Sequence, residues 1–202
     1  MTVSPKPSYL ATLALLGVTA AWGAAFVVMK PAIEQQPFYD FLATRFTLAA
    51  LVMIAVRPQV LKQFTPRLLA AGLPLGVMLG LAYVTQTLAL ELTTAAITGF
   101  LTGLYVVLTP LLAWGFLKNK LTFKILVSVV LATAGLALIS ITDLGIQPGH
   151  LWGIVCALLF AAHIVGLGKF SPRFEAYPLT VVQLIAVAAV SWVGAVGDGY
   201  QA

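Results

Sequence analysis

Seven long apolar stretches, separated by short polar punctuation, fill most of this 202-residue chain. They run from about Tyr9 to Met29, Phe38 to Val56, Leu68 to Leu90, Ala95 to Leu117, Leu121 to Ile141, His150 to Gly168 and Leu179 to Val196. Crossing ~30 Å of hydrocarbon takes ~20 apolar residues at 1.5 Å rise each, so every stretch is long enough to span a bilayer as a helix. Spanning strands would be about ten residues long with alternating polarity, a pattern none of these runs carries. With 61% of residues hydrophobic and only 8% charged, a water-soluble domain, in which roughly 25% are charged, is excluded. The expected fold class is an all-α polytopic membrane protein of about seven transmembrane helices. The first run is longer than a signal-peptide core of roughly 7 to 15 residues, so it reads as a retained helix.

The basic excess follows from membrane topology. With the N-terminus in the cytoplasm, the inner segments receive Lys6, Arg57, Lys62, Arg67, Lys118, Lys120, Lys124, Lys169 and Arg173, nine of the eleven Lys and Arg residues. Lys30 lies outside and Arg45 falls within the second span. Glu34, Asp40, Glu91, Asp143 and Asp198 lie in or beside the outer segments, leaving Glu175 inside. The net charge of +5 is therefore assigned to the positive-inside bias and not to nucleic-acid binding. A single cysteine, Cys156, excludes an intrachain disulfide.

A more specific pattern begins in the first span with Ala-Ala-Trp22-Gly-Ala-Ala-Phe before Lys30 and Pro31, then Pro37 and Arg45-Phe46. It continues through Tyr83 to Thr94, Leu104 to Leu112 with Thr109-Pro110, and Leu121 to Ile139 with Gly135 near its centre. In order and spacing these segments resemble the EamA family of the drug/metabolite transporter superfamily over about residues 8 to 196; Asn119 departs from the acid often found in that short loop. The resemblance implies ten spans in two inverted five-helix repeats, a cavity near the bilayer midplane, and a bacterial plasma (inner) membrane location with a cytoplasmic N-terminus. On that frame residues 1–145 form a first repeat and 146–202 the first two helices of a second. The chain is expected to be C-terminally truncated, with an inactive fragment or a homo-oligomer as the alternative if the short form is genuine.

The fourth span carries Thr98, Thr102, Tyr105 and Thr109 at spacings of four, three and four, a polar stripe within about 60° of arc. Such a stripe avoids lipid and is expected to face a watery cavity, interhelical hydrogen bonding being the other reading. Pro110 leaves the Val106 carbonyl without its intrahelical partner and is expected to bend the helix there. Trp22, Tyr83 and Gln86 are expected at the same cavity, with a contact to a neighbouring helix as the other reading of Gln86. Arg45, about 12 Å into the second span, must snorkel, pair or line water. It is read either as a clamp for a substrate carboxylate or phosphate, or as a structural cation bound to helix-end carbonyls or to Glu91. His163 is a cavity candidate too, as a proton-coupling group or a hydrogen-bonded packing residue. Gly72, Gly76 and Gly80, and again Gly99 and Gly103, form small-residue patterns suited to close helix packing.

The resulting expectation is a secondary permease, not an enzyme, that exports a small organic metabolite, amino acid or drug-like compound by alternating access. No cofactor or metal is expected, and the partners are the lipid bilayer and a small-molecule substrate. An intramembrane enzyme would need an acid cluster, metal ligands or a Ser-His pair, none of which is assembled in these spans. A retinal-type receptor would need a lysine in Leu179 to Val196, which has none. The Gly166-Leu-Gly168-Lys169-Phe-Ser171 segment lacks Walker spacing, so ATP is not the expected driver.

Overall fold

The computed structural model describes residues 9–117, 122–140 and 148–199, all of them in helices or in short connections between helices. The helices are α1 (Tyr9–Gln35), α2 (Phe38–Val56), α3 (Pro66–Leu92), α4 (Ala95–Gly103), α5 (Tyr105–Leu117), α6 (Phe123–Ser140), α7 (Pro148–Phe170) and α8 (Ala176–Gly197). Two 3₁₀ segments, Pro58–Gln63 and Ser171–Arg173, connect α2 to α3 and α7 to α8. Six segments among the described residues are long and apolar enough to cross a membrane: α1, α2, α3, the α4–α5 pair, α7 with its 3₁₀ turn, and α8. Within the remaining expected span, Leu121 to Ile141, lies the 18-residue α6, while Leu121 and Ile141 themselves are outside the described residues. Lys6, Lys118, Asn119, Lys120, Asp143, the side chain of Lys124 and the expected repeat boundary at 145 lie outside the described residues.

Local chemistry explains the helix limits. Thr65 and Thr94 sit in extended conformation ahead of α3 and α4, and each hydroxyl accepts from the backbone N–H three residues on, Leu68 and Ile97, at 3.2 Å. Pro66, at the first position of α3, has no N–H that the cap would have to satisfy. The first helix does not stop at Met29 as expected but continues through Pro31 to Gln35. A proline removes only one helical hydrogen bond, and α1 runs on without it. The fourth span is interrupted at Leu104, not at Pro110. There the Leu104 N–H reaches the carbonyls of both Phe100 and Leu101 at 3.2 Å, and the Val107 N–H closes a tight turn onto the Leu104 carbonyl at 3.0 Å. Gly103 precedes this tightened turn, and Pro110 follows Leu104 by six residues.

The packed centre is formed by α2, α3, α7 and α8. Gly72, Gly76 and Gly80 lie along α3 at the spacing that faces one neighbour, and that neighbour is α8. A Cβ on Gly72 would stand 2.7 Å from Val182, one on Gly76 2.6 Å from Ala186, and one on Gly80 3.1 Å from Val190. Without side chains the two backbones come together, and dispersion over that contact replaces the hydrophobic drive that lipid does not supply. Gly149 and Gly153 bring α7 equally close to Leu92 and Thr93 and to Leu101, while Gly194 of α8 receives the ring of Tyr39. The expectation of packing does not extend to Gly99, around whose Cβ position nothing lies within 4 Å. The reason is that α4 is separated from α1 by open space.

Polar side chains tie the helices at few points. Trp192 Nε1 donates to Thr47 Oγ1 at 2.9 Å and the Tyr177 hydroxyl to the Met53 carbonyl at 2.8 Å, joining α8 to α2. Lys30 Nζ donates to the carbonyls of Leu90, Glu91 and Thr93 at 2.7, 3.1 and 3.1 Å, and so fastens the end of α1 to the α3–α4 corner. These carbonyls lie at a helix C-terminus, where a cation is favoured by the helix dipole. Elsewhere α1 is loosely held, with Met29 and Ile33 as its buried residues.

Substituting the two glycine types separates contact from propensity. Gly76→Ala is expected to destabilise the bundle by about 1–3 kcal/mol, despite alanine's better helix propensity, because its Cβ meets Ala186 and the Gln183 backbone. Gly99→Ala is expected to be neutral or stabilising. Unfolding in mixed micelles measures both; equal effects would contradict the assigned contact.

Candidate functional site

Beside the open space between α1 and α4, side chains from α1, α2, α3, α5 and α7 meet in an aromatic cluster. Phe160 of α7, 3% exposed, is its centre. The Trp22 ring packs edge-on to Phe160 at 5.9 Å and is stacked on Tyr105 at 6.0 Å with 25° between planes. Tyr83 meets Phe160 edge-on at 5.4 Å and Phe46 at 4.7 Å. Offset and edge-to-face pairs of this kind each contribute roughly 0.5–1.5 kcal/mol beyond area burial, so the cluster orders its own walls.

Trp22 separates two cavities. On one side a space of about 600 Å³ lies between α1 and α4, bounded by Thr19, Trp22 and Phe26 and across from them by Gly99, Thr102 and Tyr105. On the other, an open space of about 390 Å³ is bordered by Val18, Ala21 and Trp22 of α1 with Arg45 and Tyr83. A seam lined by Trp22, Phe26, Met29, Arg45 and Gln86 adjoins both and is too narrow for water. The volumes suit small organic molecules, and the walls are mostly apolar with a few polar groups.

Arg45 is the one cation at this site. Its guanidinium carbon stands 5.3 Å from the Phe46 ring centre and 5.9 Å from that of Tyr83, and Nη1 lies 3.1 Å from Met29 Sδ. No carboxylate pairs with it among the described residues. The helix-end carbonyls that were one expectation for Arg45 are taken by Lys30, and the alternative pairing with Glu91 does not form. Rings, a thioether and cavity space are what this charge meets.

The other expected residues divide. Trp22 and Tyr105 line the larger cavity, and Arg45 and Tyr83 the smaller. Gln86 is buried at the seam, where its Nε2 donates to Thr102 Oγ1 at 3.3 Å. Thr102 borders the larger cavity, but its hydroxyl is committed to Gln86 and lies 3.8 Å from Cys156 Sγ. Thr98 and Thr109 line neither cavity. Thr98 is fully buried with its hydroxyl 3.0 Å from that of Thr93, and the Thr109 hydroxyl donates to the Tyr105 carbonyl at 2.6 Å. The stripe therefore meets neighbouring helices through its first two members and open space chiefly through Tyr105.

His163 lies apart from both cavities, buried between α7 and α8 with Nε2 2.7 Å from Gln183 Oε1. Gln183 Nε2 donates to the Leu179 carbonyl at 3.2 Å, so its oxygen faces the imidazole and accepts from the Nε2–H tautomer. Residues not expected at the cavity or as its support from the sequence complete the picture: Phe160, Phe46, Met29, Gln183 and Lys30. An aromatic in the mostly aliphatic middle of α7 and another beside Arg45 were readable signals for the first two. Nothing in spacing alone pairs His163 with Gln183.

Residues 9–141 match the EamA-like transporter family. The chain belongs to that family. An uncharacterized transporter of Archaeoglobus fulgidus is 30% identical over 181 residues, covering 90% of this chain and 56% of the relative. The chain thus spans little more than half the length of that relative. No solved structure matches it. Family and helices together make this EamA-like chain a multi-pass membrane protein.

Cavity and packing positions are distinguishable by thiol chemistry. In a Cys156→Ser background, Tyr105→Cys is expected to react with N-ethylmaleimide at least ~10-fold faster than Thr102→Cys, since a buried thiol is inert. Comparable rates would show that the Gln86–Thr102 contact opens readily.

Proposed function

We propose that this EamA-like protein is a secondary permease that exports a small organic metabolite, amino acid or drug-like compound by alternating access. The substrate would occupy the space on either side of Trp22, and it combines a flat apolar part with a carboxylate or phosphate. The observation that carries this reading is the aromatic-walled pair of cavities with Arg45 facing one of them. A guanidinium within a span costs about 2.5–3.5 kcal/mol on insertion scales, and ring faces return only about 0.5–2 kcal/mol. An anionic substrate group would offset more of that cost, and bidentate geometry favours arginine for the role.

The charge distribution supports a bacterial plasma (inner) membrane orientation with the N-terminus in the cytoplasm. Arg57, Lys62, Arg67, Lys169 and Arg173 cluster at the bundle end where α3 begins and α7 finishes. The opposite end carries Lys30 with Glu34, Asp40, Glu91 and Asp198. This is the bias the positive-inside rule associates with cytoplasmic loops. On the same reading residues 1–145 are a five-helix repeat and 146–202 belong to a second, inverted one.

The test is counterflow in membrane vesicles bearing the chain, with a labelled panel of aromatic amino acids, nucleoside monophosphates and aryl carboxylates. Flux of at least one compound is expected to fall about tenfold in Trp22→Ala, equivalent to ~1.4 kcal/mol of lost ring contact, and to survive largely in Trp22→Phe. Arg45→Lys is expected to insert normally yet impair flux of the anionic compounds. Chain-dependent flux left intact by both Trp22→Ala and Arg45→Lys would overturn this assignment of the cavity.

A further inference from the structure

On the outer side of the bundle, away from the aromatic cluster, a second pair of cavities runs along α3 and α7. At the cationic end, about 510 Å³ is bounded by Arg67, Ala70, Ala71, Phe170, Arg173 and Phe174. Further along the same two helices, about 490 Å³ is bounded by Leu73, Pro74, Val77, Met78, Leu81 and Leu159. Positions 67, 70, 71, 74, 77, 78 and 81 recur at three and four residues, so they share one face of α3. From Arg67 to Leu81 this face extends about 21 Å at 1.5 Å per residue, more than the ~15 Å of hydrocarbon in one leaflet. The result is a groove with a cationic head and an apolar body.

The head is electrostatically unspent. Glu175 is the one acid in the segments at this end. Its Oε2 is already approached by Arg57 Nη2 at 3.7 Å and Gln63 Nε2 at 3.5 Å, and Arg57 also lies 5.6 Å from the Tyr177 ring centre. Arg67 and Arg173 have no acidic partner among the described residues. Arg67 also sits in the first turn of α3, where backbone N–H groups and the helix dipole favour an anion.

We propose that this groove is a binding site for an anionic phospholipid, its phosphate held between Arg67 and Arg173 and an acyl chain laid along Leu73 to Leu81 of α3. A free inorganic anion would use the two arginines but leave the apolar body empty. A zwitterionic lipid would fill the body but bring its own cation to the arginines. An anionic lipid satisfies both parts, and such lipids are concentrated on the membrane face to which basic segments turn. The site is separate from the Arg45 cavity and stands whatever that cavity carries.

The experiment is native mass spectrometry of the full chain released from detergent micelles, titrated with phosphatidylglycerol, with phosphatidylethanolamine of the same acyl chains, and with glycerol 3-phosphate. Retained phosphatidylglycerol adducts are expected to exceed phosphatidylethanolamine adducts, with glycerol 3-phosphate not retained. Each arginine near an anionic headgroup contributes about fivefold, so Arg67→Gln with Arg173→Gln is expected to weaken retention about 25-fold. Arg173→Gln alone, in an exposed turn, gives about fivefold and guards against misfolding of the double variant. Lys62→Gln, an exposed cation at the same end, is expected to change nothing. Equal retention of the two lipids would overturn the proposal, as would indifference to both arginine variants. Loss matched by Lys62→Gln would reduce the effect to diffuse surface charge. Glycerol 3-phosphate competing as well as the lipid would mean an anion site without an acyl groove.

Discussion

The centre of this bundle depends on the approach of α3 to α8 across Gly72, Gly76 and Gly80. In lipid, apolar side chains gain little by leaving one apolar environment for another, so a helix contact must be won by fit. Three glycines let Val182, Ala186 and Val190 of α8 sit where side chains of α3 would otherwise be. The interhelical hydrogen bonds are secondary on this scale, since pairs such as His163–Gln183 or Gln86–Thr102 contribute on average about 0.6 kcal/mol each in membranes. With α3 fixed against α8, its remaining faces acquire definite neighbours. Leu75 and Ala82 turn toward α7, Tyr83 and Gln86 toward the aromatic cluster, and Arg67 to Leu81 toward the outer groove.

The aromatic site depends on the opposite condition, an incomplete contact. α1 is pinned at one end, where Met29 and Ile33 pack with Leu90 and Lys30 takes three carbonyls at the α3–α4 corner. Along the rest of its length, small residues such as Gly23 meet nothing within 4 Å, and opposite them Gly99 is equally free. The same residue type therefore has two consequences in this chain. Glycine facing a neighbour closes a gap, while glycine facing none leaves a cavity wall without side chains.

The helices were legible because apolar length and punctuation act locally: among the described residues six of the expected spans are long and apolar enough to cross a membrane, and the fifth expected span contains the helix α6. What was illegible depended on which helix lies opposite. The period of Thr98, Thr102, Tyr105 and Thr109 correctly puts polar atoms on one side of the fourth span, but period does not distinguish a cavity from a threonine on the next helix. Thr93 and Gln86 supply that difference, and they sit five and sixteen residues away from their partners. Proline was misleading for a related reason. Pro31 removes one N–H, yet α1 continues past it, and the break in the fourth span lies at Leu104, a residue with no sequence signal of its own. The lost bond fixes a weak point, and packing decides where the chain departs from a regular helix.

The cations show how strongly the surroundings alter the meaning of a charge. Lys30 meets carbonyls at a helix C-terminus and, at 3.9 Å, Glu34, so its charge is spent on holding α1. Arg57 has a carboxylate and a tyrosine ring, so it closes the α2–α8 end of the bundle. Arg45 has neither carbonyl nor carboxylate, only ring faces and a thioether, which are weak acceptors beside those of Lys30. It lies far enough inside α2 that full hydration from either end would require the open space beside Trp22. Of the three, the cation with the weakest protein partners is therefore the one that faces a cavity.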